Sequence, residues 1–401
     1  MQRRFAVLLA TLAVACNDPT RPDSPASISP SPSAAKKPTA QQIFQRFVAL
    51  GTSNSMGVQS AGIFATAQKA AWPAQLASRV GVPFSLPLVQ DPGCGPPLAP
   101  PLAADLVLVG AFGNDLVTAV MNTCSPLQAG VTLPANNVAI SGADVHDALY
   151  MTPELAAADN ARKGMLYSRV LLPGQTQLAA MLAEQPTFVS IELAANDVLG
   201  ASTGRISAMT PYENWQTDFD QVITTVASTG ARAVLVGLPT DAANFPSVRR
   251  AREFFNQWPY LLTLGITVSL NCYYSTNYLF IPGYVLTLLA ASPTTATCAD
   301  VPGAADYVLT SSDMSAINAR MAQINSHIQA RANDHGYAYF NLDPVYGLSK
   351  PAFDLSQVLF SNTPFGSAMS LDGVHPSTSG QALLANAAAQ AISARYNVQI
   401  P

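Results

Sequence analysis

Five short apolar runs alternate with helical periodicity along this chain, and that alternation limits the available folds more than any other feature. The runs cover residues 43–50, 138–141, 187–193, 233–238 and 337–342. Helical patterns occupy 61–80, 175–185, 214–228, 313–333 and 377–396. Within 214–228, Phe219, Val222, Ile223 and Val226 are spaced to bury one face. Strands alternating with helices imply βαβ units, hence an α/β fold with a five-stranded, mostly parallel sheet covered on both faces. No internal repeat is present, and residues 150–172 read as polar and irregular.

Two stretches break the rhythm. Residues 81–135 are loop-rich around D-P-G-C-G-P-P-L-A-P-P and read as an insertion on the sheet rim. Residues 246–306 hold an apolar insertion containing Y-L-F-I-P-G-Y-V-L-T-L-L-A. Asn271, Asn277, Pro282 and Gly283 interrupt it, and a membrane helix needs about 20 uninterrupted apolar residues. It reads as an inserted helical subdomain with a small core of its own, and as a cap that shapes an apolar acyl pocket.

Residues 1–16 have the form of an export signal: Arg3 and Arg4, an apolar run, then Ala13-Val14-Ala15 before Cys16. Leu12-Ala13-Val14-Ala15-Cys16 also resembles a bacterial lipobox, in which Cys16 would be lipidated and would anchor the protein to a membrane. Residues 17–40 are rich in Pro and Ser and read as a disordered tether. The folded domain is expected over 41–401. Setting Cys16 aside leaves Cys94, Cys124, Cys272 and Cys298. An even number in an exported chain suggests disulfides. Of the three connectivities, Cys94–Cys124 with Cys272–Cys298 is expected, because each closes a local loop. Charged residues are 11% of the chain and the net charge is -4, with no long basic run. Nucleic-acid partners are therefore not expected.

The chemistry-bearing residues fall at strand ends. Ser53 follows the first run, in V-A-L-G-T-S-N-S-M-G, with Gly57 permitting a tight turn. Gly142 follows the second, in N-V-A-I-S-G-A, and Asn196 the third, in A-A-N-D. Parallel strands bring these three to one edge of the sheet, where ligands bind in open α/β folds. Near the C-terminus, S-L-D-G-V-H-P places Asp372 three residues before His375. A serine hydroxyl needs a base, the base needs an acceptor to fix its tautomer, and a tetrahedral intermediate needs oxyanion donors. His375 and Asp372 supply the first two. The donors would be the backbone N–H groups of Ser53 and Gly142 and the Asn196 amide.

At these residues the chain resembles the SGNH/GDSL hydrolases, whose name lists Ser, Gly, Asn and His. Ser53, Gly142, Asn196 and His375 match in the family's order, G-T-S-N-S-M-G is similar to its nucleophile block, and D-G-V-H to its D-x-x-H. The resemblance implies a flavodoxin-like three-layer α/β/α sandwich. It also implies ester or thioester hydrolysis through an acyl-enzyme, with no metal and no organic cofactor; a lipase- or esterase-like hydrolase of carboxylic esters is expected, and the apolar insertion adds the expectation of small-molecule or lipid-like ester substrates. A carbohydrate O-deacetylase, or a surface binding module of weak activity, would share the fold. Thr52 stands where the family has Asp, and Ala194 where it has the first Gly of G-x-N-D. Ser55 is a rival hydroxyl expected to cap the turn, and Asp197 is expected to brace the loop behind Asn196. Phe112-Gly113-Asn114-Asp115 mimics the Asn block but precedes Gly142, so it reads as a loop. His146, His327 and His335 lack partners at metal-ligand spacing and read as solvated. The sequence does not set the oligomeric state.

Overall fold

The computed structural model describes residues 37–95, 97–99 and 123–401. The expected export signal, Cys16, most of the tether and the Phe112–Asp115 motif lie outside the described residues. Residues 38–401 group as one unit.

Among the described residues nine strands are formed: β1 (Phe47–Gly51), β2 (Phe188–Glu192), β3 (Arg232–Gly237), β4 (Val248–Arg250), β5 (Ile266–Val268), β6 (Tyr278–Phe280), β7 (Thr294–Ala296), β8 (Val308–Leu309) and β9 (Ala338–Asn341). The main sheet runs β1-β2-β3-β9, all parallel. Residues 136–140 extend it beyond β1, where a parallel bridge pairs Asn137 with Ala49. Ala49 N–H donates to the Asn136 carbonyl (2.8 Å), Val138 N–H to that of Ala49 (2.9 Å) and Ile140 N–H to that of Gly51 (3.0 Å). In chain order the five segments follow the flavodoxin-like arrangement. The expected second strand is thus an irregular edge ribbon.

Strand residues alternate between two apolar layers. Val48, Leu50, Val189, Ile191, Ala233 and Leu235 face one layer, with Trp215, Phe219 and Ile324. Phe47, Phe188, Val234 and Val236 face the other, with Trp72, Leu76 and Leu384. Every residue of β1 and β2 is buried, as parallel strands covered on both faces must be. The long helix Ser311–His335 buries Met314, Ile317, Met321, Ile324 and Ile328, a helical stripe of three- and four-residue steps. A Thr310–Asp313 capping box starts it and Gly336, at φ 70°, ends it. The last helix, Thr378–Tyr396, is capped by Ser377 and buries Ala385, Ala388 and Ala389. Such small side chains let it lie close on the sheet.

Three expectations are corrected. The first strand begins at Phe47, not at 43, because a Thr39–Gln42 capping box closes a helical turn over Ala40–Ile43. Residues 150–172 are not irregular; they hold helices Pro153–Asp159 and Ala161–Tyr167, capped by Thr152 and Asn160. The apolar insertion is mixed rather than helical, with an antiparallel trio β4-β6-β8 and a parallel pair β5-β7. Its core is not separate either: Phe254, Leu261, Cys272, Leu279 and Ile281 share the apolar layer of Val234, Val236 and Phe340. Both expected disulfides are formed, Cys94–Cys124 and Cys272–Cys298. No helix among the described residues is long and apolar enough to cross a membrane.

Candidate active site

β1 delivers Ser53 to the rim as the first residue of a short helix, Ser53–Met56. Gly57, at φ 86°, closes that helix and its N–H returns to the Ser53 carbonyl at 3.0 Å. An L side chain is disfavoured at that φ. The Ser53 side chain is 7% exposed, and its hydroxyl makes no hydrogen bond among the described residues.

Behind the serine sits a buried carboxylate that the sequence reading missed. Glu192 closes β2, is 2% exposed, and accepts four hydrogen bonds from the turn that carries Ser53. Thr52 donates its N–H (3.1 Å) and hydroxyl (2.8 Å). Ser55 donates its N–H (3.2 Å) and hydroxyl (3.0 Å). Desolvation raises the Glu192 pKa, and these four donors oppose the shift. The arrangement accounts for Thr52: an aspartate there would face Glu192 with like charge, whereas a hydroxyl donates to it. It also removes Ser55 as a rival nucleophile, since that hydroxyl is wholly buried and committed. The available signal was the acidic residue itself, in the otherwise apolar run F-V-S-I-E-L, because an unpaired charge is almost never buried.

Asp372 and His375 meet across a tight turn. His375 Nδ1 lies 2.8 Å from Asp372 Oδ2. The Val374 and His375 N–H groups donate to Asp372 Oδ1 at 2.9 and 2.8 Å. Burial alone would raise the Asp372 pKa, but the facing His375 charge and these donors pull it down to about 2. A further donor comes from a strained turn. Ser60 and Ala61 both have positive φ, 52° and 60°, in a two-residue hairpin turn closed by Gln59 and Gly62. Ala61 N–H thereby reaches Asp372 Oδ2 at 2.6 Å, and Ser60 N–H reaches Ser370 Oγ at 2.9 Å. Non-glycine residues at positive φ carry a cost that surrounding contacts must offset; here the strained amides hold the carboxylate. The Tyr346 hydroxyl donates to the Val374 carbonyl at 2.7 Å. Gln381 on the last helix joins the two halves: its amide donates to the Asn54 carbonyl at 3.1 Å and accepts from Trp72 N–H at 2.9 Å.

Asn196 follows β2, and its side-chain amide donates to the Ala143 carbonyl at 2.7 Å. This ties it to the loop containing Gly142, whose φ of 82° is the left-handed conformation glycine permits. Asp197 is 1% exposed and accepts the Val145 N–H at 3.3 Å, so it braces the same loop. Burial, with the nearby Asp144 charge, raises the Asp197 pKa to about 7.

Ser53, Asn196 and His375 line one cavity of about 80 Å³. Its remaining walls are almost all apolar. Phe245, Val248 and Phe280 come from the insertion and its approach, Ile317 and Met321 from the long helix. Gly142 does not line this cavity. It lines a neighbouring cleft with Ala61, Ser141 and Arg162. No Ser53–His375 hydrogen bond is formed in this state, which is common for catalytic pairs before substrate binds.

The remaining histidines are engaged elsewhere. His327 is not solvated as expected: it is 8% exposed, packs near Trp215, and its Nε2 lies 2.7 Å from Asp220. His146 pairs with Asp218 at 2.9 Å on the surface, and His335 stacks on Tyr337. Among the described residues no group of three or more metal-ligating side chains occurs.

The GDSL-like Lipase/Acylhydrolase family model matches residues 47–388. The chain belongs to this family. The GDSL match begins at β1 and ends inside the last helix, so it spans Ser53, Gly142, Asn196, Asp372 and His375. No curated protein sequence matches the chain. Among solved structures, a catalytic mutant of the acetylxylan esterase Axe2 from Geobacillus stearothermophilus is 11% identical, covering 86% of this chain and 93% of that one at a TM-score of 0.34. The extracellular lipase of Streptomyces rimosus is 15% identical, covering 85% and 98%, also at 0.34. The psychrotrophic esterase EstA of Pseudoalteromonas sp. is 13% identical, covering 88% and 98% at 0.33. At such scores these likenesses carry no argument of their own; membership of the GDSL family rests on the family model.

Proposed function

We propose that this GDSL hydrolase is exported and cleaves carboxylic esters of apolar acyl groups through an acyl-enzyme on Ser53. The observation that carries the reading is the apolar cavity that holds Ser53, Asn196 and His375 against walls from the insertion and the long helix. Ser53 Oγ attacks the ester carbonyl carbon while His375 Nε2 takes its proton. Asp372, bonded to Nδ1, holds the ring and balances the imidazolium. The oxyanion is held by the Ser53 and Gly142 N–H groups and the second N–H of the Asn196 amide, the first being committed to Ala143. Collapse breaks the carbonyl–oxygen bond, and the alcohol leaves with the His375 proton. Water, deprotonated by His375, then releases the acid and restores Ser53. No step calls on a metal or organic cofactor.

Export is supported by the two disulfides, which persist in oxidising compartments. Anchoring through Cys16 belongs to the same proposal; globomycin treatment of producing cells would leave an uncleaved precursor if that cysteine is lipidated and would change nothing otherwise.

The cavity also sets a chain-length expectation. Its volume of about 80 Å³ admits roughly five to eight water-sized groups at about 10–15 Å³ each. Across a 4-nitrophenyl ester series, kcat/KM is expected to be highest for acyl chains of roughly four to eight carbons. It should fall at least about tenfold by sixteen, since each unburied methylene forfeits its transfer free energy. Faster turnover of acetylated sugars than of any ester in the series would point instead to a carbohydrate deacetylase.

A further inference from the structure

The cleft beside Gly142 has a volume of about 380 Å³, and its lining includes Ala61, Ile63, Ser141, Gly142, Arg162 and Lys163. Its lining shares no residue with that of the apolar cavity. Ala61 N–H is bonded to Asp372, and Ala143, next to Gly142, is bonded to Asn196. Gly142, proposed above as an oxyanion donor, also lines this cleft, so with the acyl chain in the apolar cavity the cleft is placed to receive the alcohol portion.

The charges of the cleft are unbalanced. Lys163 is neutralised by Asp147 at 3.2 Å and Asp159 at 3.3 Å. Arg162 is half-buried, and among the described residues its guanidinium has no carboxylate within ion-pair distance and no hydrogen-bond acceptor. Burial disfavours its charged form, with no acidic neighbour among the described residues to offset that. A guanidinium stays protonated in proteins and presents several N–H donors in a planar fork. A half-buried guanidinium with no protein acceptor among the described residues can exchange its hydration for a bound anion.

From this placement we infer that the cleft is the alcohol-side subsite, and that Arg162 selects esters whose alcohol portion carries one negative charge, a phosphodiester or a carboxylate. The inference rests on the hydrolase reading above and adds the other half of the substrate to it. A single uncompensated guanidinium matches a singly charged anion, which it binds through two parallel N–H···O bonds.

The test compares octanoyl esters of equal acyl length: 1-octanoylglycerol as the neutral alcohol, octanoyl lysophosphatidylglycerol as the phosphodiester, and octanoyl lactate as the carboxylate. The readout is the ratio of kcat/KM for each anionic ester to that for the neutral one, in wild type, Arg162→Ala and Arg162→Lys. A hydrogen bond to a charged group accounts for roughly a 10- to 100-fold preference. At least one ratio is expected to fall by about that factor in R162A, chiefly through KM, and to recover in part in R162K. Whichever anionic ester shows the loss identifies the natural charge. If R162A does not fold, Arg162→Gln serves in its place. Wild-type ratios unaffected by these substitutions, with the neutral ester still cleaved, would overturn the Arg162 inference and leave the hydrolase reading intact. Failure to cleave any of the three esters would remove the hydrolase reading and this one with it.

Discussion

Replacing His375 with alanine is expected to lower kcat on a short-chain ester by about 10⁴- to 10⁶-fold, while thermal stability changes little. His375 is part-exposed in a loop, so its removal leaves no large cavity. In the proposed mechanism its loss removes both the base that activates Ser53 and the acid that protonates the leaving alcohol. Asp372→Asn should be the more informative partner substitution. With its pKa at about 2, Asp372 is ionised throughout the working range of such an enzyme, so it acts as a fixed negative charge and not as a proton carrier. The amide would preserve shape while turning a donor toward Nδ1, which forces the wrong tautomer. A loss of about 10⁴-fold is expected. The steady-state kinetics of purified variants, with circular dichroism to confirm folding, check both numbers; a His375→Ala enzyme within tenfold of wild type would contradict the assigned base.

The largest effect on stability is expected at Glu192. Truncation to alanine strands the two N–H groups and two hydroxyls of Thr52 and Ser55 in a buried site. Each unsatisfied buried donor costs about 1–3 kcal/mol, and partial relaxation leaves an expected loss of about 3–5 kcal/mol. Glu192→Gln keeps the volume and one acceptor but turns an NH₂ group toward donors, with an expected loss of about 1–3 kcal/mol. Because Thr52 and Ser55 flank Ser53, the proposed nucleophile, Glu192→Gln should also lower kcat more than it raises KM. Urea unfolding alongside ester kinetics measures both effects. A glutamine variant as stable and as fast as wild type would show that the carboxylate does not position the turn.

These two sites mark where sequence reasoning succeeds and where it stops. The placement of Ser53, Asn196 and His375 around one cavity is legible because their positions are set locally. Each stands at a strand end or before a helix, and the apolar runs that locate those strands are strong signals in a sheet buried on both faces. Glu192 carries its meaning in two residues 140 and 137 positions away, so only the fold reveals that its carboxylate is shared by Thr52 and Ser55. The Ser60–Ala61 turn is invisible for a different reason. Q-S-A-G lacks the Asn-Gly or Gly-Gly pairs that announce such hairpins, because here the positive φ values are held by bonds to Ser370, Leu371 and Asp372. Gln381 and Tyr346 likewise act across long separations. Some misses were avoidable: Thr152-Pro153 and Asn160 are ordinary helix-start signals, and Thr39 with Gln42 forms a capping pair. The burial of His327 is not legible locally, because it depends on the long helix meeting Trp215.

The account turns on an activated Ser53, and covalent labelling tests that most directly. Wild-type protein and Ser53→Ala are incubated with a fluorophosphonate, and each is measured by intact mass with the modified peptide mapped. One adduct per chain on Ser53 in the wild type, with none in Ser53→Ala and none in His375→Ala, is the result predicted here. A folded wild-type protein that takes up no phosphonate, or one labelled equally after Ser53→Ala, would contradict it.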